Sequence, residues 1–242
     1  MTKRNFPQCS LMDKCKEKIK TDDFLFRNIL FVIIGVSIMA AGISLMRYAA
    51  LGIDPYSCMN TGMARKLGLS FGTWQLISNT VLLAGVIIFD RKRIGFGTVY
   101  NMVATGYTSD FFLRFLSVVE FPNELAVAAR IASLIAGIAI LSFGAALYIE
   151  ANMGVSPYDA LAIMLTDKTR RSAWFRWYRI GTDGVCVIAG FLTRSDVGIG
   201  TLITACFAGP LMAFFREAVA TLQKSRYAGK RRAGNEEENG PR

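Results

Sequence analysis

Long apolar runs separated by short polar segments dominate the chain. About 20 apolar residues are needed to cross a hydrocarbon core ~30 Å thick. The pattern predicts an all-α polytopic membrane protein with six transmembrane helices, at residues 28–46, 67–89, 94–119, 131–149, 174–193 and 197–215. The fifth segment reaches span length only if Arg176, Arg179 and Asp183 lie inside it.

The positions of lysine and arginine predict the orientation, because cytoplasmic loops carry an excess of both. With the N-terminus inside, the inner segments hold 20 of the 28 Lys and Arg residues, including Arg91–Arg93. The chain is therefore predicted to contact the lipid bilayer as a multi-pass protein with both termini in the cytoplasm. Residues 1–27 form a basic cytoplasmic tail, residues 28–222 a single membrane domain, and residues 223–242 a disordered tail.

Two short motifs occur twice in fixed order. Leu-Gly-Ile-Asp-Pro-Tyr at 51–56 returns as Met-Gly-Val-Ser-Pro-Tyr at 153–158, and Gly-x-Gly-Thr at 95–98 returns at 198–201. Because the shared glycine, proline and threonine positions recur at nearly constant spacing, they indicate an internal repeat. Small residues let spans approach closely, so a packing role is predicted for the matching pairs Gly35 and Gly42, and Gly137 and Gly144.

The membrane domain thus divides into repeat 1, about 28–120, and repeat 2, about 125–222. Trp74 and Trp177 match at the same spacing as the Gly-x-Gly-Thr elements. Three spans per repeat is an odd number, so the second repeat is predicted to be inverted relative to the first. Four spans per repeat is the alternative, but it would place Arg91–Arg93 outside, against the charge rule.

The doubled Gly-x-x-Pro-Tyr and Gly-x-Gly-Thr elements, with Gly-Thr-Trp-Gln at 72–75, resemble the YczE/YitT group of bacterial integral membrane proteins. The resemblance covers roughly residues 28–220. Repeat 2 departs from the pattern, since Arg176-Trp177-Tyr178 stands where repeat 1 has Thr-Trp-Gln. What the resemblance implies is a multispanning protein of the bacterial cytoplasmic membrane, without an assigned activity.

A short helix is predicted to begin at each Pro-Tyr. Asp54 and Ser156 are favoured N-caps, and proline is favoured at the first helical position. The helices would cover residues 54–67 and 156–168, each roughly 20 Å long and too short to span. In the first helix, an apolar stripe is predicted at Tyr56, Met59, Met63 and Leu67.

Two interpretations of these helices stay open: re-entrant half-helices that begin at a central cavity, or interfacial helices with ordinary caps. The re-entrant interpretation predicts a substrate site, because helix N-termini bind polar and anionic groups and paired breaks mark transporter sites. The predicted substrate-binding residues are Gly52, Asp54, Pro55, Tyr56, Gly154, Ser156, Pro157, Tyr158, Asp159, Trp74, Gln75 and Asn79.

Ionisable residues inside spans are functional candidates. Asp183 is the foremost candidate for proton coupling or cation binding, and a structural pair with Arg179 is the alternative. Its repeat equivalent is predicted to be Thr80. Asp110 and Arg114, four residues apart, are predicted to pair on one helix face.

Composition narrows the chemistry. The chain has no histidine, so Ser-His-Asp sites and histidine-ligated metals are excluded. Its five cysteines form no CxxC pair, and Gly-x-Gly-Thr lacks the strand and third glycine of a dinucleotide site. No cofactor, metal, nucleic-acid partner or enzymatic activity is predicted; the net charge of +10 follows from topology.

Two functions fit these features. The first is a secondary transporter or permease for a small molecule. The alternative is a non-transporting accessory or regulatory protein that acts on the export or production of a secreted metabolite, and homo-oligomers or a partner protein are compatible with both.

Overall fold

The computed structural model describes residues 11–89, 94–118, 126–169 and 175–238. Within these ranges the chain forms α-helices and no strand, as the all-α prediction requires. The helices are α1 (Leu11–Ala49), α2 (Pro55–Leu67), α3 (Phe71–Phe89), α4 (Phe96–Leu116), α5 (Ala126–Glu150), α6 (Pro157–Thr169), α7 (Phe175–Leu192) and α8 (Ile199–Glu238).

Four of the described helices are long and apolar enough to cross a membrane. The candidate spanning segments, by length and composition, are Leu25–Ala49, Phe71–Ile88, Val127–Glu150 and Ile199–Thr221. The other two predicted spans coincide with α4 and α7, which carry charged residues within 21 and 18 residues, respectively. Six spans therefore stay a prediction.

The first and last helices extend into the two predicted tails. Helix α1 begins at Leu11, inside the predicted basic tail, and α8 continues to Glu238, past the predicted start of the disordered tail. The inner basic cluster Arg91–Arg93 lies outside the described residues.

Helices α1 and α5 pack closely along two glycine contacts. A Cβ atom on Gly42 would lie 2.8 Å from the carbonyl oxygen of Gly137, and one on Gly35 would lie 2.9 Å from that of Gly144. Because the later glycine of one helix faces the earlier glycine of the other, the two helices run antiparallel. The predicted role of these glycines in close packing is confirmed, since a side chain at either contact would meet backbone.

The remaining contacts follow the same pattern in both halves. Helix α4 packs on α1 as α8 packs on α5, and α2 packs on α7 as α6 packs on α3. Each short helix therefore contacts the third helix of the other half. This exchange brings the beginnings of α2 and α6 together in the interior.

An ion pair between α1 and α4 also contacts the beginning of α3. Arg47 Nη1 lies 2.9 Å from Asp110 Oδ1, and its guanidinium stacks 4.2 Å from the Phe71 ring centroid. Asp110 also accepts a hydrogen bond from the Gly72 backbone nitrogen at 2.8 Å. The partner predicted for Asp110 was Arg114, which is instead exposed. The prediction considered only one helix face, whereas the fold supplies a cation from a neighbouring helix.

Candidate functional site

Both short helices begin as the sequence predicts. Asp54 caps α2, because its Oδ1 accepts from the Ser57 backbone nitrogen at 3.0 Å. Ser156 caps α6 by accepting from the Asp159 nitrogen at 3.1 Å, and its hydroxyl donates to Asp159 Oδ2 at 2.8 Å. The first backbone N–H groups of a helix have no acceptor within the helix, and each of these caps supplies one.

The turns before these helices dock on the opposite half of the protein. The Gly200 nitrogen donates to the Leu51 carbonyl at 2.9 Å, and the Gly97 nitrogen donates to the Met153 carbonyl at 2.8 Å. Each Gly-x-Gly-Thr element therefore receives the turn of the other repeat at the beginning of α8 or α4. Glycine is needed here because backbone approaches backbone.

Two tyrosine rings stack where α2 and α6 meet. The centroids of Tyr56 and Tyr158 lie 4.4 Å apart with an interplanar angle of 16°. Both residues are buried, and they form one apolar cluster with Cys186. The stack joins the first turns of the two helices that the repeated Pro-Tyr motif begins.

Each tyrosine hydroxyl donates to a side chain of the following long helix. Tyr56 donates to Asn79 Oδ1 at 2.7 Å, with the Ser78 hydroxyl 3.2 Å away. Tyr158 donates to Asp183 Oδ1 at 2.5 Å. The same interaction therefore occurs twice, with an amide in one half and a carboxylate in the other.

These contacts correct the predicted repeat equivalence. Asn79, and not Thr80, occupies the position of Asp183, and the exposed Thr80 hydroxyl bonds to the Leu76 carbonyl of its own helix. Helices α3 and α7 begin at Phe71 and Phe175, one residue further apart than Trp74 and Trp177. Aligning the tryptophans shifted the prediction by one residue, which turns a helical position by about 100°.

The second half of the site is charged. Arg179 pairs with Asp159 and places its Nε 3.5 Å from Asp183 Oδ2. Its guanidinium also lies 4.8 Å from the centroid of the Tyr158 ring, a cation–π distance. The pair with Asp183 that was predicted as an alternative is thus present, but Arg179 connects α7 to α6 as well.

The first half has neutral side chains at the matching positions. Gln75 corresponds to Arg179 when α3 and α7 are aligned from their first residues. It is buried, and its Oε1 lies beside Gly106 of α4. This oxygen has no hydrogen-bond partner among the described residues. Asp54 stands where α6 has Ser156, so each half contributes at least one carboxylate.

The tryptophans occupy different environments. Trp74 is partly buried, and no described group accepts from its indole nitrogen. Trp177 is 68% exposed on α7 and lies outside the site. Gly52, Pro55, Gly154 and Pro157 shape the turns and first turns of the short helices without contributing side-chain polar groups.

The predicted apolar stripe of α2 is right at the buried Tyr56 but wrong at Leu67, and it missed Asn60. Leu67 is 52% exposed, whereas Asn60 is fully buried. The buried residues of α2 are mostly small or polar: Pro55, Tyr56, Ser57, Cys58, Asn60, Gly62 and Ala64. Asn60 lies four residues after Tyr56, so the helical spacing was the available signal.

Asn60 lies beside the Tyr56 hydroxyl. Its Oδ1 has no hydrogen-bond partner among the residues that the structure describes, and the same is true of the buried Asp54 Oδ2. Buried polar groups normally have partners. The two acceptors without partners lie at the beginning and on the buried face of one short helix. Across the described ranges, no three His, Cys, Asp or Glu side chains are grouped to hold a metal ion.

The apolar helices and the interior polar junction define a helical membrane protein. Residues 26–217 match a family of unknown function, DUF6198. The chain belongs to this family, because the match covers most of its length.

Three relatives each match most of this chain. The chain is 28% identical to the uncharacterised protein YyaS of Bacillus subtilis, over 77% of this chain and 90% of that protein. It is also 28% identical to the uncharacterised membrane protein YczE of Bacillus subtilis, over 76% and 83%, respectively. An uncharacterised protein of Haemophilus influenzae is 27% identical over 81% of this chain and 87% of that protein. The predicted resemblance to YczE is therefore confirmed, and no solved structure matches the chain.

Proposed function

We propose that this protein is a secondary transporter for a small molecule and that the junction of α2 and α6 is its substrate site. One observation supports this function above the others: the buried Tyr56–Tyr158 stack joins the first turns of two repeat-related short helices. Transporters place substrates where broken helices from two repeats meet. No catalytic step is assigned to these side chains.

The proposal includes the arrangement in the membrane. The chain crosses the bacterial cytoplasmic membrane six times, as two inverted repeats with both termini inside, and α2 and α6 are re-entrant from opposite faces. The antiparallel packing of α1 and α5 supports this arrangement, because the two helices are equivalent members of the two repeats. The exchanged docking of the two turns supports it in the same way.

Transport is tested in proteoliposomes that contain the purified protein. Radiolabelled amines, amino acids, sugars and carboxylates are each offered with and without a pH gradient. We expect uptake of at least one compound class, and an initial rate about tenfold lower in Tyr158→Phe, because the variant keeps the ring stack but removes the hydroxyl that donates to Asp183. Tyr107→Phe alters a tyrosine that is 44% exposed on α4 and is the matched control, expected to transport normally.

Absence of flux for every class would contradict the transporter proposal. A stable partner protein that co-purifies in mild detergent, together with that absence, would favour the accessory or regulatory function instead. Equal rates in Tyr158→Phe and the unmodified protein would place the substrate path away from the tyrosine pair.

The orientation of the short helices is tested by cysteine labelling. The labels are placed at the exposed helix ends, at Lys66 and Lys168. Residues near the beginnings of the helices, such as Ser57 and Ala160, are buried and would not react. In a background without native cysteines, we expect an impermeant maleimide applied to whole cells to label Lys66→Cys. Lys168→Cys is expected to react only after the membrane is permeabilised. Labelling of both positions from one side would rule out opposite entry.

A further inference from the structure

We propose that the substrate of this site is a protonated amine, recognised by the carboxylates of Asp54 and Asp183. This inference rests on the proposed function, since it names the substrate class of the same site. It follows from the charge at the junction and from the hydrogen-bonding groups that have no partner there.

The charge at the junction is unbalanced. Asp54, Asp159 and Asp183 contribute three carboxylates, and Arg179 contributes one guanidinium. Arg179 pairs with Asp159 and approaches Asp183, so its charge is directed to the α6 side. The Asp54 carboxylate is close enough to Asp183 and Arg179 for their charges to interact. An opposite charge favours the ionised form of a carboxylate, so a cation bound beside Asp54 and Asp183 and the two carboxylates would stabilise one another.

The groups without partners indicate what kind of cation. Asp54 Oδ2 and Asn60 Oδ1 are acceptors that no described donor reaches, whereas both tyrosine hydroxyls already donate within the site. Asn60 is fully buried and lies beside Tyr56, so it faces the junction and not solvent. A ligand that supplies N–H donors as well as positive charge meets both needs.

A bare metal ion fits less well than an amine. Among the described residues, no three carboxylates lie close enough together to hold one metal ion. An alkylammonium group can contact separate acceptors because it carries donors in several directions and its alkyl part can extend along apolar surface. Met59 and Leu82, which pack on the tyrosine pair, supply such surface.

Two charge-removing variants keep the local structure. Asp54→Asn retains a favoured N-cap at the beginning of α2. Asp183→Asn retains an acceptor for Tyr158, the arrangement that Asn79 already provides for Tyr56. Asp196→Asn is the matched control, because Asp196 lies outside the site and its partner is the exposed Arg65.

The test is direct binding to the purified full chain, measured by calorimetry and by the shift in its thermal unfolding midpoint. The probes are ethylammonium and putrescine chloride, with tetramethylammonium chloride, sodium chloride and sodium acetate as comparisons. We expect the two amines to bind and to raise the midpoint, and their dissociation constants to increase about tenfold or more in Asp54→Asn and Asp183→Asn. The Asp196→Asn protein is expected to bind as the unmodified chain does.

Other results overturn the inference. Equal responses to tetramethylammonium or sodium would show that N–H donors are not recognised, and binding that survives both substitutions would place the amine elsewhere. Failure of all probes to bind would exclude an amine substrate. Amine binding without flux would contradict transport alone, whereas flux of a non-amine that ignores both substitutions would contradict the amine inference alone.

Discussion

Gly42→Ala is expected to lower the free energy of unfolding by about 1–3 kcal/mol, because the added methyl overpacks the α1–α5 interface. Its Cβ would lie 2.5 Å from the Leu141 nitrogen and 2.8 Å from the Gly137 carbonyl oxygen. Both atoms belong to the backbone, so no side-chain rotation relieves the contact and the two helices must move apart. Thermal unfolding of the purified protein, followed by size-exclusion chromatography of the soluble fraction, measures the loss.

Gly85→Ala is the control for this prediction. Gly85 lies in the long helix α3, and a Cβ there would meet no atom within 4 Å. Its stability is expected to stay the same or to rise slightly, since alanine is the better helix former. Equal losses in the two variants would mean that glycine content, and not close packing, stabilises the bundle.

The second large effect is expected at the turns that exchange between the halves. Gly52 and Gly154 both have φ of +112°, a conformation that side chains with a Cβ rarely adopt. An added Cβ would also lie 2.7 Å from the Thr201 nitrogen in one case and 2.7 Å from the Gly95 nitrogen in the other. Backbone strain and displaced docking therefore act together, so Gly154→Ala is expected to cost at least about 3 kcal/mol.

This prediction is checked by the thermal unfolding midpoint and by transport in the same preparation. Gly68→Ala separates the two causes, because Gly68 has φ of +67° at the end of α2 but no atom within 4 Å of its would-be Cβ. Only the left-handed conformation is penalised there, at about 1 kcal/mol. If Gly154→Ala lowers the free energy of unfolding no more than Gly68→Ala does, the docking of this turn on α4 contributes nothing to stability.

The sequence predicted the local features of the site well. Asp54, Ser156 and the prolines after them define where α2 and α6 begin, because capping is decided by residues within one helical turn. The glycine pairs of α1 and α5 were predicted to pack closely, and they do. Apolar runs likewise predicted a helical membrane protein, a class that the YczE relative supports.

Other features depended on neighbours distant in sequence. The buried face of α2 is decided by α7 and α3, the helices that it packs on most, and on that packing Asn60 is buried and Leu67 is exposed. Asp110 pairs with Arg47 on another helix, so a rule based on spacing along α4 chose Arg114 wrongly. A residue's partner across a helix interface cannot be obtained from its own helical periodicity.

What the sequence alone determined is where helices begin and break, and that these breaks occur twice. The tertiary structure decided that each break docks on the opposite repeat, that Tyr56 stacks on Tyr158, and that Asn79 and Asp183 are equivalent. Caps and breaks arise from interactions within a few residues, which the local sequence specifies. Pairing between repeats depends on how the helices pack, and a one-residue error along a helix directs a side chain to a different neighbour.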